Sequence, residues 1–320
     1  MLRLFFVALM CCASSASFGN TESIHDIIRQ SEEIFNATRI VCSGISDEIS
    51  KVSNVSKANT AVTVAGTVAA GGAMAAGIKK SQEDKEIDAL VQQICNAGGC
   101  SAEGVKAMSR DDFFHNVMIP MSQIAELQNK LNKSKKLGNW RTGLLAGTIG
   151  TNVASAIISG LNTDQSDLIQ HVEACNEMLG AVNDTITRLR LAGANPIEYP
   201  VVKQLNNIKT WCGQINVADV EKIEKRMKGV MGTSIAGAAI GGVGTAVSAA
   251  ANSDKYMDAN NKLALSDTEK QTEKKLNTTA NIMAGANIAT GAVGTGLNIS
   301  MISLTKKLMD SAARCEEVLQ

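Results

Sequence analysis

The chain alternates between amphipathic stretches and four stretches that carry no charged side chain. The four uncharged segments are residues 58–78, 142–163, 229–253 and 276–305, and they contain 21, 22, 25 and 30 residues. Between them, apolar residues return every three or four positions, as at Leu168, Val172, Cys175, Leu179, Val182, Ile186 and Leu189. This spacing is typical of an amphipathic helix. The pattern predicts an all-α fold.

Small residues recur at every fourth position within the uncharged segments. Positions four apart lie along one ridge of an α-helix, and a ridge of small side chains lets two helices approach closely. We therefore predict glycine-zipper helix contacts through Ala65, Ala69, Ala73, Gly77, Gly143, Gly147, Gly237, Gly241, Ala284, Ala292 and Gly296.

The flanks of the uncharged segments repeat as well. Cys42 precedes Gly66 by 24 residues, and Cys212 precedes Gly237 by 25 residues. The tripeptide Gly-Leu-Asn begins at Gly160 and again at Gly296. Each time a Cys-x-Glu sequence follows downstream, at Cys175 and at Cys315. We interpret these matches as an internal duplication that produces two tandem, long antiparallel helical hairpins.

The duplication predicts the domain boundaries. The first helical hairpin covers residues 20–192, with an insertion at about 81–134, and the second covers residues 203–320. Residues 193–202 contain two of the three prolines and are predicted to be a linker.

The first 19 residues have the pattern of a secretory signal peptide. Arg3 precedes an apolar run at 4–12, and small residues suitable for cleavage follow at Ala16 and Gly19. The apolar run is too short to span a bilayer as a helix, although an uncleaved anchor is the alternative. We expect an exported protein, in the periplasm, cell envelope or extracellular space.

An even number of cysteines remains after the predicted signal peptide, and an exported chain is oxidised. Because the cysteines lie at matched distances from the uncharged segments, we predict the disulfides Cys42–Cys175, Cys212–Cys315 and Cys95–Cys100, the first two stapling the two hairpins. Buried free thiols and a metal site are the alternatives, but Cys-x4-Cys is not a usual zinc spacing.

Charge and motifs give little sign of chemistry. The chain has 31 basic and 31 acidic residues, and zero net charge argues against nucleic-acid binding. Asp111 and His115 could share a helical face, but such a run is more often a solvated turn. The recognised nucleophile, phosphate-loop and zinc-helix motifs do not occur. We predict no enzymatic activity, no cofactor and no metal site.

Two functions remain from the sequence. The first is a non-enzymatic structural or interaction protein of the cell envelope or extracellular space, with a protein partner or self-association. The alternative is a membrane-inserting or pore-forming protein that uses the glycine-zipper hairpins. Each uncharged segment is long enough to cross about 30 Å of hydrocarbon, yet the same segments could be the dry centre of a soluble bundle.

Overall fold

A computed structural model describes residues 23–98 and 121–320. The structure is 90% helical, and the described residues contain no β-strand. The all-α prediction is therefore confirmed. The predicted signal peptide at 1–19, Cys100, Asp111 and His115 lie outside the described residues.

Long helices dominate the described part of the chain. In chain order they are α1 (Ile24–Cys42), α2 (Ile45–Gly98), α3 (Met121–Leu161), α4 (Ser166–Leu191), α5 (Pro200–Cys212), α6 (Val217–Ala251), α7 (Asp254–Met257), α8 (Ala259–Leu263) and α9 (Asp267–Leu319). Gly44, between α1 and α2, has a φ of 85°, a left-handed conformation that only glycine adopts without strain.

The described part of the predicted insertion is helical, and the predicted linker contains turns. Residues 81–98 and 121–134 continue α2 and α3 rather than forming a separate loop. Ile87 and Leu127, from these extensions, are buried in one apolar cluster with Tyr256 and Leu263. In the predicted linker, turns precede Pro200, which begins α5, the helix position where proline is best tolerated.

The chain divides into two compact units that do not follow the two predicted hairpins. Unit 1 comprises Met1–Glu48, Asp167–Val217 and Leu308–Gln320, and unit 2 comprises Ile49–Ser166 and Ala218–Lys307. Each unit therefore draws residues from both halves of the predicted duplication. The duplication itself stays a prediction.

Unit 1 contains both disulfides that the described residues form. Cys42 pairs with Cys175 at a Cα–Cα distance of 4.9 Å, and Cys212 pairs with Cys315 at 4.5 Å. These are the two long crosslinks that the spacing predicted. The third predicted pair, Cys95–Cys100, extends outside the described residues. The apolar residues buried in unit 1 include Ile27, Val172, Leu189, Val202, Leu205 and Ile208.

Unit 2 is built around a heptad-like set of buried positions. Buried residues follow alternating steps of three and four residues through 56–80 in α2, 127–159 in α3 and 220–251 in α6. The same steps run through 273–305 in α9, where Gly291 is half-buried. A repeat averaging 3.5 residues is the pattern of helices that pack along a continuous seam.

Only part of the predicted glycine-zipper rows lies on this repeat. Of the predicted contact residues, Ala73, Gly77, Gly237, Gly241 and Ala284 are buried and Ala69 is half-buried; Ala65, Gly143, Gly147, Ala292 and Gly296 are exposed. With 3.6 residues per turn, a strict four-residue row rotates about 40° around the helix at each step. Such a row enters or leaves the buried face within a few steps, whereas alternating steps of three and four stay on it.

Candidate functional site

The buried face of the four uncharged segments is unusually polar. We call these buried positions the polar seam. They are Asn59, Thr63, Gly66, Ala70, Ala73, Gly77, Leu145, Thr148, Asn152, Ser155, Ser159, Val230, Ser234, Gly237, Gly241, Gly244, Ser248, Ala251, Asn252, Asn277, Ala280, Ala284, Asn287, Gly294, Asn298, Met301 and Thr305. Among them, only Leu145, Val230 and Met301 are large and apolar. The rest are small residues or residues with amide and hydroxyl groups.

Large apolar side chains lie instead on the outside of the same segments. Each of these residues has between 37% and 81% of its surface exposed. They are Val64, Val68, Met74, Ile78, Val153, Ile157, Leu161, Ile235, Val243, Ile282, Val293 and Ile299. Water-soluble helices usually place such residues inward and polar residues outward. The uncharged segments show the reverse distribution.

The polar side chains of the seam bind one another across helices. Asn152 Nδ2 donates to Asn287 Oδ1 at 3.2 Å, and Asn287 Nδ2 donates to Thr148 Oγ1 at 2.6 Å. Two further links join α3 to its neighbours: the hydroxyls of Ser155 and Ser234 lie 2.8 Å apart, and Asn59 Nδ2 donates to Ser159 Oγ at 2.7 Å. Paired in this way, the groups avoid most of the cost of burying polar atoms.

Glycine creates the space for these hydrogen bonds at several positions. A Cβ added at Gly237 would lie 2.6 Å from Asn152 Nδ2, and one added at Gly241 would lie 2.9 Å from Thr148 Oγ1. In contrast, a Cβ at Gly143 or Gly147 would meet nothing within 4 Å. Gly237 and Gly241 are thus sites of close helix approach, whereas Gly143 and Gly147 are not.

Three asparagine carbonyl oxygens in the seam have no hydrogen-bond partner among the residues that the structure describes. They are the Oδ1 atoms of Asn59, Asn252 and Asn298, whose residues are 1%, 7% and 0% exposed. The amide nitrogens of the same side chains are engaged, for example Asn298 Nδ2 with Thr63 Oγ1 at 3.4 Å. An unpaired buried acceptor is costly unless an ordered water satisfies it.

A buried guanidinium lies next to the start of the second uncharged segment. Arg141 is 0% exposed, and its Nε donates to Ser248 Oγ at 2.8 Å. Its terminal nitrogens donate to Asn277 Oδ1 at 3.0 Å and to Asn281 Oδ1 at 3.3 Å. These partners are neutral. Burial lowers the pKa of Arg141 to about 10, and attraction to Asp84 opposes this shift.

Asp84 connects Arg141's partners to a second buried cation. Lys80 Nζ lies 2.9 Å from Asp84 Oδ2, and Asn277 Nδ2 donates to the same oxygen at 3.2 Å. Ser134 donates to Asp84 Oδ1 at 2.6 Å. Burial lowers the pKa of Lys80, and Asp84 opposes that shift. This charged network lies beside the uncharged segments and ties α2, α3, α6 and α9 together.

By length and composition, four helical stretches could cross a membrane. Within the described residues, the stretches Ile24–Asn96, Ser122–Leu191, Pro200–Ala251 and Asp267–Leu319 each contain a window that is long and apolar enough to cross one. Between 22% and 28% of each window is buried inside the structure. Most residues of these windows are therefore half-buried or exposed.

The two described histidines, His25 and His171, lie in different surroundings. In unit 1, His171 Nε2 lies 2.8 Å from the carbonyl oxygen of Val41, and Nδ1 lies 3.3 Å from a carboxylate oxygen of Glu48. His25 is exposed on α1. Across residues 23–98 and 121–320, no group of three or more His, Cys, Asp or Glu side chains is arranged to hold a metal ion.

Sequence reasoning found the segments but missed the seam. The signal was present as Asn, Ser and Thr at alternating steps of three and four, for example Thr148, Asn152, Ser155 and Ser159. The four-residue spacing of glycine and alanine in the same segments makes this pattern harder to recognise. No protein-family model, curated protein or solved structure matches the chain.

Proposed function

We propose that the protein is an exported, non-enzymatic, membrane-inserting protein whose four uncharged segments lie in a lipid bilayer as a helical bundle. The observation that carries the proposal is the reversed polarity of these segments. Their buried positions hold amides, hydroxyls and glycines, while their exposed positions hold valine and isoleucine. In water this distribution exposes apolar area and buries polar groups, and both are unfavourable.

In a bilayer, exposed apolar side chains are favourable, and polar groups are better placed inside the bundle than on its surface. The outward residue near the middle of each segment is a valine, namely Val68, Val153, Val243 or Val293, and these are 42% to 69% exposed. In lipid these side chains would contact hydrocarbon. The backbone polar groups of a helix are satisfied internally, and the seam amides bind one another, as a bilayer requires.

The charged residues fit the same placement. Arg141 and Lys80 lie just outside the uncharged segments and face inward, where Asn277 and Asp84 bind them. Ionisable residues near lipid are tolerated when they face the interior of a bundle and find partners there. The network would also fix the register of the four helices.

The finer architecture belongs to the proposal too. Two duplicated helical hairpins are supported by equivalent cysteine positions: Cys42 ends α1 and Cys212 ends α5, and a turn and a long helix follow each. Glycine-mediated helix contact is supported at Gly237 and Gly241. A protein partner or self-association is supported by apolar side chains exposed in unit 1, such as Ile197 at 88% and Leu191 at 84%.

A lysine on the outward face of a segment tests the insertion. We expect the full chain to float with phosphatidylcholine–phosphatidylglycerol liposomes after an alkaline carbonate wash. Val68→Lys places a charge at the middle of a segment, at a cost of about 3 kcal/mol for insertion. The floated fraction should therefore fall steeply.

The matched control is Ile197→Lys, which makes a similar apolar-to-charged change at an exposed position in unit 1. This variant should float like the parent chain. Recovery of the parent chain in the wash, or equal flotation of the two lysine variants, would contradict the proposal. Helix content by circular dichroism checks that both variants are folded.

A further inference from the structure

An apolar layer interrupts the polar seam. Ala73, Leu145 and Ala284 are each 0% exposed and pack together. A Cβ added at Gly244 would lie 3.5 Å from the terminal methyl carbons of Leu145. The four long helices of unit 2 thus each contribute to the layer, with Leu144 of α3 also packed against it, and none of these residues has a polar side-chain atom. Leu145 is the large residue at its centre.

Polar groups lie on both sides of this layer along α3. On one side, four residues before Leu145, Arg141 donates to Ser248 Oγ at 2.8 Å. On the other side, three residues after Leu145, Thr148 Oγ1 accepts from Asn287 Nδ2 at 2.6 Å. The layer therefore separates the charged network from the amide-lined part of the seam.

Unpaired buried acceptors also lie on both sides. Within the described part of the chain, Asn252 Oδ1 has no partner, while its amide nitrogen donates to the carbonyl oxygen of Lys135, before Arg141 on α3. Asn59 Oδ1 has no partner either, and its amide nitrogen donates to Ser159, near the far end of α3. Buried groups of this kind are commonly satisfied by ordered water, which needs two to four polar partners.

We propose that water occupies the polar seam on both sides of the Leu145 layer, and that this layer is the barrier to water and proton passage along the bundle. The proposal rests on membrane insertion as proposed above. An apolar constriction closes a polar path because water leaves it, and a polar side chain at the constriction lets water return.

Close packing limits what such a path could carry. A Cβ at Gly66 would lie 2.6 Å from Thr151 Oγ1, and one at Gly237 would lie 2.6 Å from Asn152 Nδ2. There is no space of solute size between helices this close. Protons would pass such contacts through the seam hydroxyls and through single waters at the unpaired amide oxygens, and larger polar solutes are excluded.

Polar substitutions within the layer test the barrier. Leu145→Ser replaces the central side chain, and Ala73→Ser adds one hydroxyl with little change in volume. The full chain and its variants are reconstituted in liposomes that contain a pH-sensitive dye, and proton flux is measured after an external pH step. We expect both serine variants to raise the flux about tenfold, which corresponds to about 1.4 kcal/mol off the barrier.

Two controls separate the layer from general damage. Ile157→Ser makes an apolar-to-serine change at an exposed position of the same helix and should leave the flux at the parent level. Leu145→Met keeps an apolar side chain of similar volume and should also leave it unchanged. A trapped dye of larger size, calcein, should stay inside with every variant.

The outcomes distinguish the barrier from insertion. If the variants float with the liposomes but neither serine variant raises proton flux, the barrier proposal fails and membrane insertion stands. If Ile157→Ser raises the flux equally, or if calcein escapes, the narrow path at Leu145 is wrong. If the parent chain does not float at all, the proposed function fails and the barrier proposal fails with it.

Discussion

Unit 1 and the uncharged segments of unit 2 bury opposite kinds of side chain between their helices. Unit 1 contains two disulfides and buries isoleucine, leucine and valine. The uncharged segments bury asparagine, serine, threonine and glycine, and expose valine and isoleucine. Unit 1 thus has the residue distribution of an aqueous core, and the uncharged segments have the reverse distribution.

The difference shows that helix periodicity and helix polarity carry separate information. Both regions repeat their buried positions every three or four residues. What changes is the chemistry on the two faces. A hydrophobic face identifies the core only where the surroundings are water, and the uncharged segments lack the charges that would mark the opposite face.

The largest expected effect comes from removing a disulfide of unit 1. Cys42–Cys175 encloses a sequence separation of 133 residues. In the chain-entropy model, a crosslink of this span contributes about 4–5 kcal/mol to the free energy of unfolding. The Cys42→Ala, Cys175→Ala variant should therefore lose much of the protection of its α4 amides in hydrogen exchange.

The seam provides the internal reference for that experiment. Protection of the α3 amides at 145–155 should change much less, because the interactions in this part of unit 2 are noncovalent helix contacts. Equal loss of protection in α4 and in residues 145–155 would show that the two regions do not differ in how they are stabilised. Peptide-level exchange separates them.

A smaller effect is expected from filling the close contacts in the seam. Gly237→Leu and Gly241→Leu would force side chains into Asn152 and Thr148, and overpacking costs about 1–3 kcal/mol at each site. The matched variant is Gly143→Leu with Gly147→Leu, where a Cβ meets nothing within 4 Å. Chemical unfolding should show a loss of stability for the first pair, and equal stability of both pairs would disprove close packing at these glycines.

The smallest effect concerns the start of α9, outside the uncharged segments. Glu269 accepts hydrogen bonds from Lys255 and from the backbone and hydroxyl of Ser266, and these hold its pKa at about 2, below its ordinary value of 4.5. Its stabilisation is present above pH of about 4.5 and is lost as the pH falls through about 2. Because the ion pair is largely exposed, the contribution is below about 1 kcal/mol.

Melting temperature against pH measures this contribution. Glu269→Gln should flatten the curve between the two pKa values and leave the neutral-pH melting temperature almost unchanged. If Glu269→Gln lowered the stability at neutral pH as much as Gly237→Leu with Gly241→Leu does, the start of α9, rather than the seam, would dominate the stability of unit 2.

The long disulfides and the all-α fold could be predicted because their signals are local or repeated. Cys42 and Cys212 stand at almost equal distances from Gly66 and Gly237, and that regularity suggested the pairing. The buried face of the uncharged segments could not be assigned in the same way. Without charges, both faces look similar, and Gly143 and Gly147 match a packing motif while lying on the exposed side.

The pairing of the polar residues in the seam could not be predicted for a related physical reason. Asn152 and Asn287 are ordinary surface residues by composition, and their burial depends on partners that lie 135 positions apart in the chain. The pairing becomes visible only when α3 and α9 are placed side by side. Leu145 was equally inconspicuous, since one leucine in a small-residue segment has no distinctive pattern.

The Cys42–Cys175 crosslink also has a consequence for biosynthesis. If the chain crosses into an oxidising compartment from its N-terminus, Cys95 and Cys100 arrive before Cys175 does. Oxidation in order of arrival would join Cys42 to one of these earlier thiols. Native pairing then requires thiol–disulfide exchange, and we expect the yield of correctly paired protein to fall in a host without a disulfide isomerase.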